Sequence, residues 1–255
     1  MKATIDAFSN TASIKVNQLN NSKSKYLTMA MLAGFFVGLG IILIFTIGGL
    51  LAPADFAGTK IVMGVSFGIA LSLVIMAGSD LFTGNTMTMT IGTLMKKTTW
   101  PQSLHIWLYS YIGNFAGSII VAVLFFYSGL ALGATGNFIN GAASAKMNAP
   151  FMELLVRGIL CNILVCLAVW CSVKLKDETA KLIMIFWCLF AFITSGFEHS
   201  IANMTLLSIS LMIPHPETIT LAGMAANLIP VSIGNIIGGS VFIGAAYWFG
   251  ITNKQ

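Results

Sequence analysis

Hydrophobic residues are concentrated in six long runs, and short polar segments separate these runs. The runs lie at about 27–51, 61–94, 104–132, 149–172, 181–213 and 227–250. A helix needs roughly 20 apolar residues to cross the hydrocarbon core of a bilayer. The six runs therefore predict an all-α membrane protein with six transmembrane helices.

Two of the runs, 61–94 and 181–213, are too long to be a single straight span. An unbroken helix over either run would be about 50 Å long in a core of about 30 Å. Each run contains a polar segment near its middle, at 78–87 and at 196–204. A helix can unwind at such a segment if neighbouring protein satisfies the freed backbone groups, so we predict that helices two and five are broken.

The two polar segments match each other in sequence. Three positions correspond at one constant offset along the chain: Gly78 with Gly196, Asp80 with Glu198, and Asn85 with Asn203. The string Ile-Gly-Asn also occurs twice, at 112–114 in the third run and at 233–235 in the sixth. Because a unit of three spans is odd, a second copy must cross the membrane in the opposite direction. The sequence thus predicts an inverted 3+3 repeat, with repeat one at about 27–132 and repeat two at about 149–250.

The composition supports a membrane protein and excludes several other classes. Hydrophobic residues make up 57% of the chain and charged residues 8%, against roughly 25% charged residues in an average soluble domain. A cytosolic enzyme or a nucleic-acid binder would need a more polar surface. We interpret residues 1–255 as a single transmembrane domain in which 1–26 form a polar N-terminal segment.

The lysines are distributed unevenly between the two predicted faces of the membrane. If the N-terminus is cytoplasmic, ten lysines lie on that side, Lys254 among them, and only Lys60 and Lys146 lie on the other. Cytoplasmic loops of membrane proteins carry the excess of basic residues. We therefore expect both termini, and the segment 1–26, to be cytoplasmic.

The sequence lacks the motifs of a metal site, a nucleotide site or a disulfide scaffold. Its four cysteines, at 161, 166, 171 and 188, form no Cys-x-x-Cys pair, and no nucleotide-binding P-loop occurs. We expect the cysteines to serve in packing, and we predict no metal and no cofactor.

Polar residues at membrane depth are functional candidates because burying them is costly. His199 lies at the break predicted in span five, and matching breaks in inverted halves point to a central site. An imidazole there can donate to an anion or pass a proton near neutral pH, or it can simply be hydrogen-bonded in place. Thr83, Asn85 and Asn162 are neutral donors that can meet a small ion or satisfy the local backbone.

Charged residues in or beside the spans suggest further roles. Asp80 and Glu198 have no basic neighbour in sequence, and we expect them to cap the broken helices by accepting backbone N–H groups. Glu153 and Arg157 are spaced i,i+4 with the acid first, which favours a helical ion pair. Lys146 is either an ordinary loop lysine or a residue that attracts anions.

Three strings resemble the formate/nitrite transporter family of pentameric anion channels. They are Leu81-Phe82-Thr83-Gly84-Asn85, the string Gly-Phe-Glu-His-Ser-Ile-Ala-Asn-Met at 196–204, and the segment 161–170. The resemblance extends from about 27 to 250. Within the family, the segments 38–46 and 187–192 and the basic residue Arg157 look more like the nitrite-channel branch than the formate branch.

The resemblance implies an aquaporin-like protomer with its own pore, five of which surround an axis in the bacterial inner membrane. It implies that His199 and Thr83 face the ion and that Asn162 helps to hold it. It also implies that Lys146 sets a positive potential for entering anions.

Two apolar constrictions are implied as well. The inner one would be formed by Leu71, Leu81 and Phe192, and the outer one by Phe82 and Val165. Apolar constrictions exclude hydrated ions, while hydrogen-bond donors replace the water that an anion loses. We therefore expect a channel, not an enzyme, for small monovalent anions of weak acids, nitrite first and formate next. Its partners would be the anion, protons, membrane lipid and the other copies of a homopentamer.

Two alternative functions remain at this point. A hydrosulfide channel of the same family would use the same constrictions and donors. A channel for water, glycerol or ammonia would also have inverted halves with central breaks, but the sequence contains no Asn-Pro-Ala pair.

Overall fold

The computed structural model describes residues 1–252, and all the regular secondary structure in this part of the chain is helical. Six of its helices are long and apolar enough to cross a membrane, which confirms the predicted number of spans. Lys254, assigned above to the cytoplasmic face, and the end of the expected domain 1–255 lie outside the described residues.

The first half of the chain contains six helices. They are α1 (Lys2–Asn21), α2 (Lys23–Leu51), α3 (Thr59–Ser66), α4 (Gly68–Met76), α5 (Phe82–Leu94) and α6 (Trp100–Tyr127). Here α2 is span one, α3 to α5 form span two, and α6 is span three. A short 3-10 turn at Ala52–Ala54 follows α2.

The second half contains six more. They are α7 (Gly133–Met147), α8 (Phe151–Lys174), α9 (Glu178–Ser195), α10 (Ser200–Met212), α11 (Leu221–Ile237) and α12 (Ala246–Thr252). Span four is α8, and α9 with α10 form span five. A π-helical stretch, Gly238–Ala245, joins α11 to α12, so that the sixth span is one rod of 32 residues.

Helices two and five are broken, as the run lengths predicted. Residues 77–81 separate α4 from α5, and residues 196–199 separate α9 from α10. Each break contains a glycine in the left-handed region, Gly78 and Gly196, both with φ of +77°. Residues that carry a Cβ atom rarely adopt this backbone conformation, so glycine lets the chain turn out of the helix here.

The short helices that follow the breaks lie in the interior of the bundle. Both α5 and α10 have 13 residues, which is about 20 Å and too short to cross the hydrocarbon core. The first eleven residues of each helix are all buried. Surrounding helices therefore enclose α5 and α10 almost completely and place their first turns near the middle of the bundle.

Asn114 of α6 holds the first break in place with three hydrogen bonds. Its Oδ1 accepts the backbone N–H of Phe82, at the start of α5, over 2.9 Å. Its Nδ2 donates to the carbonyl oxygens of Ala30, at 2.7 Å, and Asp80, at 2.9 Å. One buried amide thus satisfies backbone groups that the broken helix leaves free, which is the condition for irregular backbone at membrane depth.

Asn235 of α11 does the same at the second break. Its Oδ1 accepts the backbone N–H of Ser200, at the start of α10, over 2.9 Å. Its Nδ2 donates to the carbonyl oxygens of Gly158, at 2.8 Å, and Glu198, at 3.0 Å. Because the two asparagines make the same three bonds to corresponding positions, the halves are an inverted 3+3 repeat in structure as well as in sequence.

Glycines also let the long spans cross closely in each half. A Cβ atom on Gly117 of α6 would lie 1.9 Å from the carbonyl oxygen of Met31 in α2, and one on Gly234 of α11 would lie 2.2 Å from that of Leu155 in α8. Both distances are far below van der Waals contact. The paired spans α2–α6 and α8–α11 therefore approach backbone to backbone, as small residues allow in membrane bundles.

The N-terminal segment forms α1, a helix that the sequence analysis did not predict. Its buried apolar side chains recur at helical spacing on one face: Ile5, Phe8, Ala12, Val16 and Leu19. The Phe8 ring stacks on Trp170 of α8 with ring centres 5.4 Å apart, and Trp170 stacks on Tyr247 of α12 at 4.0 Å. Most of the expected polar segment 1–26 is thus an amphipathic helix packed against the bundle, and its residues 23–26 form the start of α2.

A corresponding helix, α7, lies at the other end of α2. It also packs apolar side chains, among them Ile139, Ala143 and Met147, against the bundle. Phe138 of α7 contacts Phe45, near the end of α2, with ring centres 5.8 Å apart. We call the two ends of the bundle the α1 side and the α7 side.

Candidate functional site

Two cavities lie toward opposite ends of the bundle, and a narrow gap lies near its centre. The cavity on the α7 side has a volume of about 330 Å³ and reaches His199. The cavity on the α1 side has a volume of about 320 Å³ and reaches Asp80. The gap near the centre holds about 10 Å³, which is room for at most one water molecule. The gap shares Phe192 and His199 with the α7-side cavity, and Asp80 of the α1-side cavity precedes Leu81 of the gap in sequence.

The gap is lined by apolar side chains and His199. Leu71, Leu81, Phe192 and Val165 all lie in it, so the structure brings these four residues together in one apolar layer. Phe67 joins the layer and packs edge-on against Phe192, with ring centres 5.6 Å apart. The sequence analysis missed Phe67 because its position lies outside the strings that it singled out.

Phe82 is not among the residues that line this gap. Its ring packs edge-on against Tyr111 of α6 with centres 5.0 Å apart, and its backbone N–H is held by Asn114. As the first residue of α5, Phe82 faces the neighbouring span. A constriction formed by Phe82 with Val165 stays a prediction.

His199 and Thr83 come together in the interior from opposite halves of the repeat. The imidazole Nε2 lies 3.1 Å from the Thr83 hydroxyl. The other ring nitrogen, Nδ1, accepts the backbone N–H of Ala202 at 3.2 Å and so caps α10. In the neutral ring, Nδ1 therefore carries no proton and Nε2–H is the donor. His199 lines both the gap and the cavity on the α7 side.

Asn162 lies next to this pair, but its amide nitrogen is already committed to protein acceptors. Its two N–H groups are shared among three acceptors within hydrogen-bond distance of Nδ2: the Thr83 carbonyl at 3.2 Å, the Thr86 hydroxyl at 3.0 Å and the Asn235 carbonyl at 2.5 Å. It thereby ties α8 to α5 and α11. The amide thereby fixes the position of Thr83, and a direct part of Asn162 in holding the ion stays a prediction.

Asp80 is buried at the inner end of the α1-side cavity and is surrounded by donors. It forms an ion pair with Lys15 of α1. Its Oδ1 also accepts the Tyr26 hydroxyl at 2.6 Å and the Asn85 amide at 2.5 Å. Lys15 lies on a different helix, far from Asp80 along the chain, which is why no basic neighbour was evident in sequence.

Glu198 has equivalent partners on the α7 side. It accepts Lys146 of α7 at 2.6 Å and the Asn203 amide at 2.6 Å, and Asn203 also donates to Asn227 at 2.8 Å. The two carboxylates therefore accept side-chain donors, and the asparagines of α6 and α11 cap the breaks. This corrects the expectation that Asp80 and Glu198 cap the helices through backbone N–H groups.

The two cavities differ in charge. The cavity on the α7 side is lined by Lys60, Lys146 and Arg157 and by one acidic residue, Glu198. The α1-side cavity has one basic and one acidic residue, Lys25 and Asp80, among its lining. An anion therefore meets a more positive surface at the α7 side.

Inverted membrane halves with a donor pair at an apolar gap beside a positively lined cavity are the features of a channel or transporter for a small polar solute. The model of the formate/nitrite transporter family matches residues 2–249. The chain belongs to the formate/nitrite transporter family.

Its similarity to individual members covers most of the chain. It is 46% identical to the nitrite transporter NirC of Escherichia coli (strain K12) over 241 residues, which is 94% of this chain and 88% of that protein. It is 33% identical to the formate channel FocA of the same strain over 240 residues, 86% of this chain and 84% of that protein. These relatives are a transporter and a channel, not enzymes.

Solved structures show the same fold. A structure titled as an FNT family ion channel aligns with a TM-score of 0.93 at 42% identity, over 98% of this chain and 99% of the other. A pentameric formate channel with formate bound aligns with a TM-score of 0.81 at 28% identity, over 91% and 99% of the two chains. The expected aquaporin-like arrangement of broken helices is thus that of this family.

Proposed function

We propose that this protein is a membrane channel for small monovalent anions of weak acids, with nitrite first and formate second. The observation that carries the proposal is the pair of donors, His199 Nε2–H and the Thr83 hydroxyl, at the apolar gap near the centre of the bundle. Nitrite is placed first because nitrite transporters share 45–46% identity with the chain and formate channels 32–33%.

The donor pair replaces part of the hydration that an anion loses in the gap. Moving an unpaired ion into apolar surroundings is very costly, and hydrogen bonds to it offset that cost. The His199 and Thr83 side chains lie 3.1 Å apart and bond to each other. An arriving anion exchanges this single bond for two, one from each side chain. Leu71, Leu81, Val165 and Phe192 exclude ions that keep their water.

His199 also provides a route by which the anion becomes neutral. A doubly protonated ring loses the bond from the Ala202 N–H, and it sits at the positive end of the α10 dipole. Both effects make the charged ring a good proton donor to a bound weak-acid anion. The neutral acid then crosses the apolar layer at a much lower desolvation cost. The proton reaches His199 through the cavity on the α7 side.

The lysine distribution and the relatives support a membrane location, an orientation and an oligomeric state for the protein. We place the protein in the bacterial inner membrane, as a single domain over 1–255 with the α1 side in the cytoplasm. The lysine distribution supports this orientation. The aligned pentameric formate channel supports a homopentamer, and exposed apolar side chains along the spans, such as Leu124 and Phe242, suit contact with lipid or with another copy.

A direct test compares fluxes in proteoliposomes. Purified protein is reconstituted, and the initial influx of nitrite, formate, hydrosulfide, glycerol and water is measured side by side. We expect nitrite and formate influx well above that of empty liposomes, and no gain for glycerol or water. Fast water or glycerol flux without anion flux would reject the anion channel, and hydrosulfide flux alone would reassign the substrate.

Reversing the charge at Lys146 should lower anion flux about tenfold or more. Lys146→Glu places a second carboxylate beside Glu198 and removes a basic residue from the α7-side cavity. Charged clefts change the rate of ion entry by one to three orders of magnitude, and the effect weakens with ionic strength. Influx at low and high salt measures it.

A matched control keeps the charge change but moves it. Lys181 at the start of α9 pairs with Glu178 and lies apart from the residues that line this cavity. Lys181→Glu should therefore retain nearly wild-type influx. If both substitutions reduced influx equally, Lys146 would have no special part in attracting the anion.

A further inference from the structure

Arg157 lies at the mouth of the α7-side cavity and already binds a carboxylate there. Its Nη2 donates to Glu153 Oε2 at 2.5 Å, and the two side chains are 43% and 51% exposed. Its carbonyl oxygen accepts the backbone N–H of Glu198 at 3.2 Å. Arg157 is therefore attached, through its backbone, to the segment that leads into His199.

A guanidinium recognises a particular shape of anion. It is planar and presents its N–H groups as a fork, which matches two oxygen atoms attached to one atom. Formate is such a carboxylate, and nitrite has the same two-oxygen outline. A lysine ammonium is a point charge that attracts any anion, so Lys60 and Lys146 in the same cavity do not supply this discrimination.

The Glu153 carboxylate already binds the Arg157 guanidinium and therefore competes with any external anion for it. An exposed ion pair contributes little free energy because water and salt screen it. An external anion at sufficient concentration can therefore replace the Glu153 carboxylate at the guanidinium without a large cost.

We infer that Arg157 forms an entry site that selects planar two-oxygen anions before they reach the His199–Thr83 pair, and that Glu153 sets the affinity of this site by competing for it. This inference rests on the proposed function and deepens it. Arg157 acts on the concentration at which influx saturates, whereas passage through the gap limits the maximal rate.

The test separates the fork from the charge. Nitrite and formate influx into proteoliposomes is measured over a range of concentrations for wild type, Arg157→Lys and Glu153→Gln. Arg157→Lys keeps the charge and loses the fork, so the half-saturating concentration should rise roughly two- to fivefold, the range of an exposed charged contact. Glu153→Gln should lower it by a similar factor. The maximal rate should stay near wild type in both.

The experiment includes a control variant and has results that would contradict the proposal. Glu178→Gln removes the acid of the other short-range pair, with Lys181 on α9, and should leave the half-saturating concentration unchanged. An Arg157→Lys protein that saturates like wild type, or a Glu153→Gln protein no tighter than Glu178→Gln, overturns the entry site. Wild-type liposomes that carry neither nitrite nor formate reject the proposed function itself, before any variant is compared.

Discussion

A channel with phenylalanine in place of His199 is expected to carry nitrite and formate at least about tenfold more slowly than wild type. The ring nitrogen that donates to the anion is lost, and a hydrogen bond to a charged group contributes about 1.5–3 kcal/mol, where about 1.4 kcal/mol is tenfold. The Ala202 N–H also loses its acceptor. Stopped-flow influx into proteoliposomes measures the rate.

Asparagine at the same position separates donation from protonation. In His199→Asn the amide oxygen can still accept the Ala202 N–H and the amide nitrogen can still donate, but the side chain does not titrate. We therefore expect influx that persists and that loses the part of its pH dependence due to protonation of His199. If His199→Asn kept the wild-type pH profile, proton transfer would not pass through His199.

The second large effect is expected at the asparagines that hold the breaks. Asn235→Leu leaves the Ser200 N–H and the carbonyl oxygens of Gly158 and Glu198 without their partner. An unpaired buried polar group costs about 1–3 kcal/mol, so three of them should lower the free energy of unfolding by about 3 kcal/mol or more. The thermal unfolding midpoint in detergent and the size-exclusion profile measure the loss.

Because of the inverted repeat, the same prediction applies to the corresponding asparagine of the first break. Asn114→Leu removes the same three bonds from the first break and should destabilise the protein by a similar amount. Asn137→Leu, on the exposed face of α7, is the surface control and should unfold near the wild-type temperature. Wild-type stability in either buried variant would show that water or neighbouring groups satisfy the breaks.

The architecture was predictable because each of the two long runs is too long for one straight span and contains a polar segment near its middle. An unbroken helix over 61–94 or 181–213 does not fit the bilayer, and the matching polar segments located both breaks. The Ile-Gly-Asn strings marked Asn114 and Asn235 as equivalent. Their role as caps could not be read from them, because it depends on the tertiary contact of α6 with α5 and of α11 with α10.

The candidate site was only partly predictable. The strings of the family located His199 and Thr83, which the structure brings together. Lys15 was not connected to Asp80, because an ion pair between residues so distant in sequence depends on how α1 packs. The sequence also did not show that Phe67 lines the central gap and that Phe82 packs against Tyr111. The direction of each side chain depends on how the short helices are rotated in the bundle.

The aromatic stack at α1 bears on how the protein is made. Phe8, Trp170 and Tyr247 come from the beginning, the middle and the end of the chain, and they stack in one column. During synthesis α1 leaves the ribosome first, yet the column is complete only when the last span has been translated. The layer between Trp170 and Tyr247 is therefore the last part of the column to form, and a truncated product that lacks α12 would lose it.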